Sequence, residues 1–360
     1  MKVLLVRGNP RKTGISQQVT DWFLQGVRAS GAEVTEVDAT ALALQPCTGC
    51  YQCWVVNPGR CIHDDAMKDL LVAIREADVL VFSTPVNYYA MSSSLKTFVE
   101  RMFPCFAPGI ERSARGYFRN RCRYPEQFDR KKLVTIVVGS LKHPDTFRPI
   151  NETFQLIADS LNMELGGQLT RPESYLLQFT LSKPKTARLI EQAFVDAGME
   201  AGTSGRLSAK TMEQAALSLS VDDAHFETYS NIYWDRAVQM GAAASLAALR
   251  EYIAREPAIL MREMARCVDP KATARVRAAI QFDFPDRDLH YRLSVDGGQC
   301  ALEEQPTADP DLRITCDTAV WVDFLLGKLD LHQALRQRQI ALAGDKSLFV
   351  RLGRFFPPPA

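Results

Sequence analysis

The chain has 360 residues, which exceeds the usual size of one domain and predicts two hydrophobic cores. Its composition, 46% hydrophobic and 24% charged, is typical of a globular protein and excludes a fibrous or disordered chain. The formal net charge of +1 provides no global field that would attract nucleic acid or an anionic membrane, so we expect neither partner.

No apolar stretch approaches the roughly 20 residues that a membrane span needs. The apolar run at the N-terminus is also too short for a signal peptide and leads directly into Gly8-Asn9-Pro10. These features predict a cytoplasmic protein without a membrane span.

Short apolar runs alternate with amphipathic segments through the first half of the chain. Strands are predicted at 2–7, 33–37, 79–82, 133–138 and 164–169, and helices at 16–28, 65–76, 95–102 and 150–161. Strands that alternate with helices form a doubly wound parallel sheet, here of five strands. Residues 187–240 have apolar residues at helical spacing and a Gly-rich break at 201–205, which predicts a helical cap.

The pattern changes again after residue 275. Strands are predicted at 278–284, 289–295 and 312–316, and helices at 319–326 and 346–355. We therefore expect a first domain at 1–240, a helical linker at 241–257 and a second, α+β domain at 258–360.

The loop after the first strand, Gly8 to Ser16, is rich in small residues and ends where the first helix begins. Free backbone N–H groups and the positive end of the helix dipole suit such a loop to a phosphate. An ordinary strand-to-helix turn is the alternative, because the loop matches neither the Walker nor the dinucleotide motif. The candidate phosphate ligands are Asn9, Arg11, Thr13, Ile15 and Ser16.

A second loop, Thr84 to Ser92, leaves the carboxyl end of the third strand. In a sheet of strand order 2-1-3-4-5, FMN binds in the crevice between the ends of strands one and three. The second loop would offer backbone amides and aromatic faces to the flavin ring. Its candidates are Pro85, Val86, Asn87, Tyr88 and Tyr89. The two tyrosines would otherwise be surface aromatics or a subunit contact.

Four cysteines crowd into 15 residues between the second strand and the second helix. Their pattern is Cys47-x2-Cys50-x2-Cys53-x7-Cys61. Thiolates at this spacing suit a [4Fe-4S] cluster or a tetrahedral zinc ion. A structural or redox-thiol role is the alternative.

Two further features are open to more than one interpretation. A basic stretch between Cys105 and Cys122 could contact the phosphates of NAD(P)H, or could be a solvated insertion loop. His63, beside Asp64, could donate a proton or lie near a helix cap. No hydrolytic constellation is present in the sequence.

At these positions the chain resembles the FMN-dependent NAD(P)H oxidoreductases of the flavodoxin superfamily, particularly the iron-sulfur flavoproteins, over about residues 1–240. The matching segments are Gly8-Asn9-Pro10-Arg11, the cysteine loop with Asp64-Asp65, Thr84-Pro85-Val86, and Leu95 to Arg101. The resemblance implies a flavodoxin-like fold, bound FMN, and Gly139 and Ser140 closing over the flavin ring. It also implies NAD(P)H as reductant, a cluster that passes electrons to FMN, and a homodimer or higher homo-oligomer. The chain departs from the pattern at Asn87 and Ile15.

The C-terminal segments look like the SCP2 sterol-carrier family over about residues 258–356. The resemblance rests on 281–283, 291–293, 311–315, 323–328 and 340–345. It implies a small sheet whose helices enclose an apolar tunnel for a lipid-like ligand. The same apolar residues would also suit a purely structural or dimerising core. The chain has Arg338-Gln339 where relatives often have Gly, so the turn there could differ.

Together these features predict an FMN-dependent NAD(P)H oxidoreductase that passes electrons to a small hydrophobic, quinone-like acceptor. One alternative is an iron-sulfur flavoprotein that receives electrons from a ferredoxin-like donor. Another is a lipid-binding protein whose flavodoxin half is degenerate. Because the cofactor carries out the chemistry, no side chain is predicted as a catalytic acid or base.

Overall fold

The computed structural model describes residues 1–178, 184–220, 222–241, 252, 255–325 and 328–357. Its contacts group the chain into two compact units. Within the described residues, the first unit comprises 1–178 and 185–220, and the second comprises Pro184 and the residues from Asp222 onward. Most of the predicted linker at 241–257 lies outside the described residues, and the predicted domain limits stay a prediction.

The first unit is built on a five-stranded, all-parallel sheet. Its strands are β1 (Lys2–Arg7), β2 (Glu33–Asp38), β3 (Val79–Pro85), β6 (Lys132–Val138) and β7 (Glu164–Arg171), while β4 (Phe106–Arg112) and β5 (Phe118–Cys122) form a separate hairpin. The strand order is β2-β1-β3-β6-β7, which confirms the predicted doubly wound, flavodoxin-like sheet. The three central strands are almost wholly apolar and buried because helices cover both faces of the sheet.

The helices of this unit follow the strands along the chain. They are α1 (Ile15–Ala29), α2 (Gln52–Val55), α3 (Met67–Glu76), α4 (Ser93–Glu100), α5 (Pro125–Phe128), α6 (Arg148–Ser160), α7 (Pro184–Ser204) and α8 (Ala209–Ala215). Helices α3, α4 and α6 share one core with alternate residues of β1, β3 and β6, such as Leu4, Phe82 and Val137. Helix α7 continues through Ser204 and ends at Gly205, whose φ is 71°. The predicted break at 201–205 therefore occurs only at its last residue.

Helices α1 and α7 approach each other at two glycines. A Cβ at Gly26 would overlap the carbonyl oxygen of Val195, and a Cβ at Gly198 would overlap that of Phe23. Because both obstacles are backbone atoms, neither helix can make room by rotating a side chain. The two glycines therefore set the spacing of the α1 and α7 layer.

The hairpin of β4 and β5 was not predicted. The basic stretch lacks a clear alternation of apolar residues, which is the sequence signal for strands. Its strands pair antiparallel from Phe106–Cys122 to Arg112–Phe118, with an irregularity between Ala107 and Ile110. The expected insertion is therefore an ordered hairpin.

The second unit is α+β, as predicted. Its strands are β8 (Arg277–Phe284), β9 (Leu289–Asp296), β10 (Gln299–Glu303), β11 (Leu312–Cys316) and β12 (Ile340–Gly344), in the order β10-β9-β8-β11-β12. Its described helices are α9 (Asp223–Met240), α10 (Pro257–Arg266), α11 (Pro270–Thr273), α12 (Thr318–Leu325), α13 (Leu331–Arg336) and α14 (Lys346–Phe355). Strands β8 and β11 are parallel and the other pairs are antiparallel.

The core of the second unit lies between its sheet and α10, α12 and α14. Phe282 of β8 contacts Trp321 of α12, with ring centroids 4.9 Å apart, and Phe324 stacks on Phe349 of α14. Arg338 precedes β12 with φ of 55°, so this turn has the left-handed conformation that glycine favours although arginine occupies it.

We predict that Gly26→Ala lowers the free energy of unfolding of the first unit by about 2–3 kcal/mol, because overpacking against a backbone carbonyl displaces a helix. Gly353→Ala is the matched control, since Gly353 lies inside α14 with no neighbouring atom within 4 Å of its would-be Cβ. That change should stabilise the second unit by about 0.5–1 kcal/mol. Urea unfolding, followed separately for the two transitions, measures both, and an unchanged first transition in Gly26→Ala would contradict the proposed contact.

Candidate functional site

Three loops converge at the carboxyl edge of β1, β3 and β6. Gly8 N, just after β1, donates to Ser83 O of β3 at 2.7 Å, and Val86 N, just after β3, donates to Val138 O of β6 at 2.8 Å. A Cβ on Gly8 would lie 2.7 Å from both Leu95 Cβ and Ser92 Oγ. The first two loops therefore touch at a point where only glycine fits.

The first loop ends at the N-terminus of α1 without a side-chain cap. Gly14 is the N-cap residue, and α1 has no acidic residue in its first turn. The first backbone N–H groups of this 15-residue helix therefore carry its positive dipole end without a neutralising side chain. Such an end suits a phosphate.

Asn9 is buried in this loop with a 2% exposed side chain. Its Nδ2 donates to Arg11 O at 3.1 Å and to Gln17 Oε1 at 3.0 Å. Its Oδ1 is buried and accepts no hydrogen bond from the described residues. A buried acceptor without a donor is costly, and a ligand hydroxyl or N–H would satisfy it. The loop thus fits a polar ligand.

The remaining candidates of the first loop divide into exposed and buried residues. Arg11 and Thr13 are exposed, and Ser16 is half-buried at the start of α1. Ile15 is buried and provides no side-chain donor, so only its backbone could contact a phosphate. Lys12, which was not a candidate, pairs with Asp38 and donates to Thr40 Oγ1 at 3.1 Å.

The second loop contains a tight turn at Tyr88 and Tyr89. Asn87 N donates to Ala90 O at 2.9 Å and Ala90 N to Asn87 O at 3.1 Å, which closes a two-residue hairpin. Both tyrosines have positive φ, 53° and 66°, a combination that normally selects Asn-Gly. Tyr88 is 98% exposed and Tyr89 54% exposed, so the strained turn presents two aromatic rings to solvent.

The base of the second loop is fixed by polar contacts. Ser92 N donates to the buried Thr84 Oγ1 at 3.0 Å, and Ser92 Oγ caps α4. Pro85 and Val86 are half-buried at the end of β3. Thr84 and Ser92 were predicted only as the limits of the loop, and the hydrogen bond between them holds its two ends together.

The third loop follows β6 and contacts the second. A Cβ on Gly139 would lie 2.7 Å from Phe147 Cζ and 3.5 Å from Val86 Cγ2. Gly139 N donates to Arg171 O at 2.9 Å, and Gly139 O accepts from Ser174 N at 3.0 Å. Ser140 is exposed. The candidates of all three loops therefore lie along one edge of the sheet.

The four candidate cysteines line a single small pocket, together with His63, Arg101 and Phe103. Burial raises the pKa of the Cys53 thiol to about 11, and the other three thiols shift it in the same direction. Cys50 is exposed, and the N–H of Gln52 in the first turn of α2 lowers its pKa. The cysteine loop is anchored by Trp54, whose Nε1 donates to Phe103 O at 2.8 Å.

A buried ion pair closes this pocket. Arg101, 1% exposed, donates to both carboxylate oxygens of Asp65, at 2.7 and 2.9 Å, and to Gln45 O at 2.6 Å. Burial alone would lower the pKa of Arg101, but Asp65 and Cys61 outweigh it and raise the pKa. Arg101 Nε is buried without a hydrogen-bond partner among the described residues.

Within the described part of the chain, no three His, Cys, Asp or Glu side chains lie close enough to hold a single metal ion. This arrangement does not fit the tetrahedral zinc site, whose four ligands meet at one atom. A [4Fe-4S] cluster distributes its thiolates over four irons and needs them further apart, so lining one pocket is compatible with it. The cluster stays a prediction.

The arginines of the basic stretch are largely engaged within the protein. Arg119 donates to Asp159 O and Asn162 Oδ1 and holds the hairpin against the C-terminal end of α6. Arg115 pairs with Glu152 at 3.0 Å, and Arg112 stacks on Phe118 at 4.5 Å. Arg123 Nε donates to two backbone carbonyls, Pro104 O and Phe106 O. These contacts favour the interpretation of the basic stretch as an insertion over its interpretation as a site for the phosphates of NAD(P)H.

Among the described residues, the structure contains no helix with both the length and the apolar character needed to cross a membrane.

His63 lies at the cysteine pocket with its Nε2 buried and without a described partner. It therefore does not act as a helix cap through that atom.

Comparison with known proteins identifies relatives of both halves. The chain is 34% identical over 104 residues to an iron-sulfur flavoprotein of Archaeoglobus fulgidus, which covers 29% of this chain and 46% of that protein. It is 29% identical over 104 residues to one of Methanocaldococcus jannaschii, covering 29% of this chain and 53% of the relative. The chain thus spans about half the length of the curated relatives it matches.

Among solved structures, an FMN-dependent NADH-azoreductase of Bacillus anthracis in complex with FMN is 11% identical, with a TM-score of 0.42 over 56% of this chain and 99% of the other. A likeness at this level says nothing about substrates. Residues 1–149 match the family described as NADPH-dependent FMN reductase, and residues 260–357 match the SCP-2 sterol transfer family. The two regions of the chain are thus similar to two different families.

Proposed function

We propose that the protein is an FMN-dependent NAD(P)H oxidoreductase that reduces a small hydrophobic, quinone-like acceptor. The observation that carries this proposal is the convergence of three loops on the carboxyl edge of β1, β3 and β6, beside an uncapped helix N-terminus. The family match of residues 1–149 supports FMN and NADPH as the cofactor and reductant.

In this proposal the first loop binds the FMN phosphate. The backbone N–H groups at the start of α1 donate to it, and Arg11, Thr13 and Ser16 lie where their side chains can add donors. The unsatisfied Oδ1 of Asn9 accepts from a ligand donor. Ile15 contributes its backbone alone because its side chain is apolar.

The second and third loops orient the flavin ring. Residues Pro85 to Tyr89 provide backbone groups and two exposed aromatic rings, and Gly139 and Ser140 border the same crevice. FMN, when bound, supplies the hydride and electron chemistry. The chain binds, orients and shields it, and no protein acid or base is required.

The choice of acceptor rests on the second unit. The match of residues 260–357 to the SCP-2 sterol transfer family supports an apolar, lipid-like ligand for that unit. A ligand of this kind that can be reduced, such as a quinone, would serve as the apolar electron acceptor of the flavin.

We expect Arg11→Ala to weaken FMN binding about tenfold, the value of one charge-assisted hydrogen bond to a phosphate. Arg28→Ala is the matched control, because Arg28 lies at the opposite end of α1, is exposed and pairs with Glu36. Titration of the flavin-free full chain with FMN, followed by flavin fluorescence, measures both variants. Equal affinities in the two variants would contradict the phosphate loop.

The wild-type chain provides the test of the whole proposal. Anaerobic addition of NADPH should bleach the absorbance of bound flavin, and a quinone should restore it. A colourless chain that takes up no added FMN would instead favour a lipid-binding protein with a degenerate flavodoxin half. Bleaching only by a low-potential reductant would favour electron transfer.

A second candidate function is electron transfer through a [4Fe-4S] cluster in the cysteine pocket. It is favoured by the four cysteines that line one pocket and by the iron-sulfur flavoprotein relatives. Cys47, Cys50, Cys53 and Cys61 would hold the cluster beside the buried Arg101, whose charge is paired with Asp65.

For this candidate we predict about four iron and four sulfide per chain after anaerobic purification. Cys53→Ser should lose most of the iron because it removes a ligand. Cys300→Ser should keep it, since Cys300 lies in β10 of the second unit. Wild-type protein that is free of iron but fully loaded with FMN would exclude the cluster.

A further inference from the structure

Two oppositely charged side chains are completely buried at the end of β7. Arg171 and Glu173 both have 0% exposure. Neither belongs to the three loops of the candidate site, and burying either charge without compensation would cost several kcal/mol. Hydrogen bonds to neighbouring residues compensate for the burial of both charges.

Glu173 accepts hydrogen bonds from one short segment of chain. Leu219 N and Ser220 N donate to its Oε2 at 2.6 and 3.2 Å. Ser218 Oγ lies 3.1 and 3.2 Å from its two oxygens, and Ser220 Oγ donates to Oε1. The carboxylate is therefore solvated by residues 218–220 in place of water.

Arg171 binds the residues just before this segment. Its NH1 donates to Ala215 O at 2.9 Å and its NH2 to Leu217 O at 2.8 Å, which caps the C-terminal end of α8. Its Nε donates to Pro172 O at 2.6 Å. Burial lowers the pKa of Arg171 to about 10, while the charge of Glu173 acts in the opposite direction. Together the two side chains fasten residues 215–220 to the end of β7.

The backbone of residues 171–174 holds the third loop. Arg171 O accepts from Gly139 N at 2.9 Å, Ser174 N donates to Gly139 O at 3.0 Å, and Glu173 N donates to Leu141 O at 3.4 Å. Glu173 also has φ of 49°, a left-handed conformation that costs free energy in a non-glycine residue. Hydrogen bonds of both its side chain and its backbone therefore fix this strained residue.

We propose that Glu173, together with Arg171, is a positioning residue that fixes the third loop, residues 139–141, in the shape that receives the flavin ring. This proposal rests on the proposed FMN function. Residues 218–220 bind the Glu173 side chain, which fixes the strained backbone of Glu173. The backbone of residues 171–174 in turn holds Gly139 beside the second loop. Glu173 acts through the loop and does not itself contact the cofactor.

The variant that tests this proposal is Glu173→Gln. The change keeps the size of the side chain but removes its negative charge, so the N–H groups of Leu219 and Ser220 and the serine hydroxyls lose a charged acceptor. The matched control is Glu164→Gln at the opposite end of β7, where the exposed Glu164 pairs with Arg206 at 2.7 Å. Ser218→Ala is a milder variant that removes one donor and serves if Glu173→Gln fails to fold.

Three kinds of measurement on the 360-residue chain separate positioning from general stability: FMN affinity, the properties of bound flavin, and amide exchange. We expect Glu173→Gln to weaken FMN binding about tenfold, as for loss of hydrogen bonds to a buried charge, and to shift the absorbance bands and midpoint potential of bound flavin. Amide hydrogen exchange in the flavin-free protein should accelerate at residues 139–141. Ser218→Ala should change all three in the same direction to a smaller extent, and Glu164→Gln should change none.

The possible outcomes distinguish this proposal from the proposed function. If exchange at 139–141 and the flavin properties are unchanged in Glu173→Gln, or in Ser218→Ala where only that variant folds, the positioning role is wrong even though FMN binds. If the wild-type chain takes up no FMN, the proposed function fails, and with it the role toward flavin. Exchange that accelerates at 139–141 in that case would still identify Glu173 as the residue that holds the loop.

Discussion

A parallel sheet that is covered by helices on both faces can bind a ligand only at the ends of its strands. In this protein β1, β3 and β6 are buried along nearly their whole length, so the loops at their carboxyl ends are the places where the chain can differ without disturbing the core. The absence of a side chain at Gly8 and at Gly139 lets these loops approach one another. The candidate site, the order of the elements and the positions of the supporting contacts all follow from this constraint.

The first unit attaches its irregular segments with buried charges. Arg101 and Asp65 hold the cysteine loop, Arg119 holds the hairpin, and Arg171 with Glu173 holds residues 215–220. Backbone groups in these segments lack part of the hydrogen bonding that a long helix or the main sheet provides, and these side chains supply some of it. A guanidinium can bind several carbonyls at once in a fixed geometry, which suits it to such attachments.

The five strands of the main sheet and the longer helices of the first unit could be predicted because apolar periodicity marks them, as in β3 and α1, whereas β4 and β5 lack that signal. The crevice could be predicted because strand order alone determines where the carboxyl ends meet. The roles of Arg171 and Glu173 could not, since nothing in the local sequence distinguishes a buried charge from an exposed one. Strands β10 and β12 were missed for a different reason, because five-residue strands that are partly exposed have only a weak alternation.

The turn at Tyr88 and Tyr89 has an energetic cost. Two successive non-glycine residues in the left-handed region cost on the order of 1 kcal/mol or more each, and an Asn-Gly pair would form the same turn with less strain. Both rings are exposed, so their own contacts do little to offset that cost. The strain of this turn is therefore borne by the rest of the fold, and it does not have to be met by the contacts of a molecule that lies against the rings.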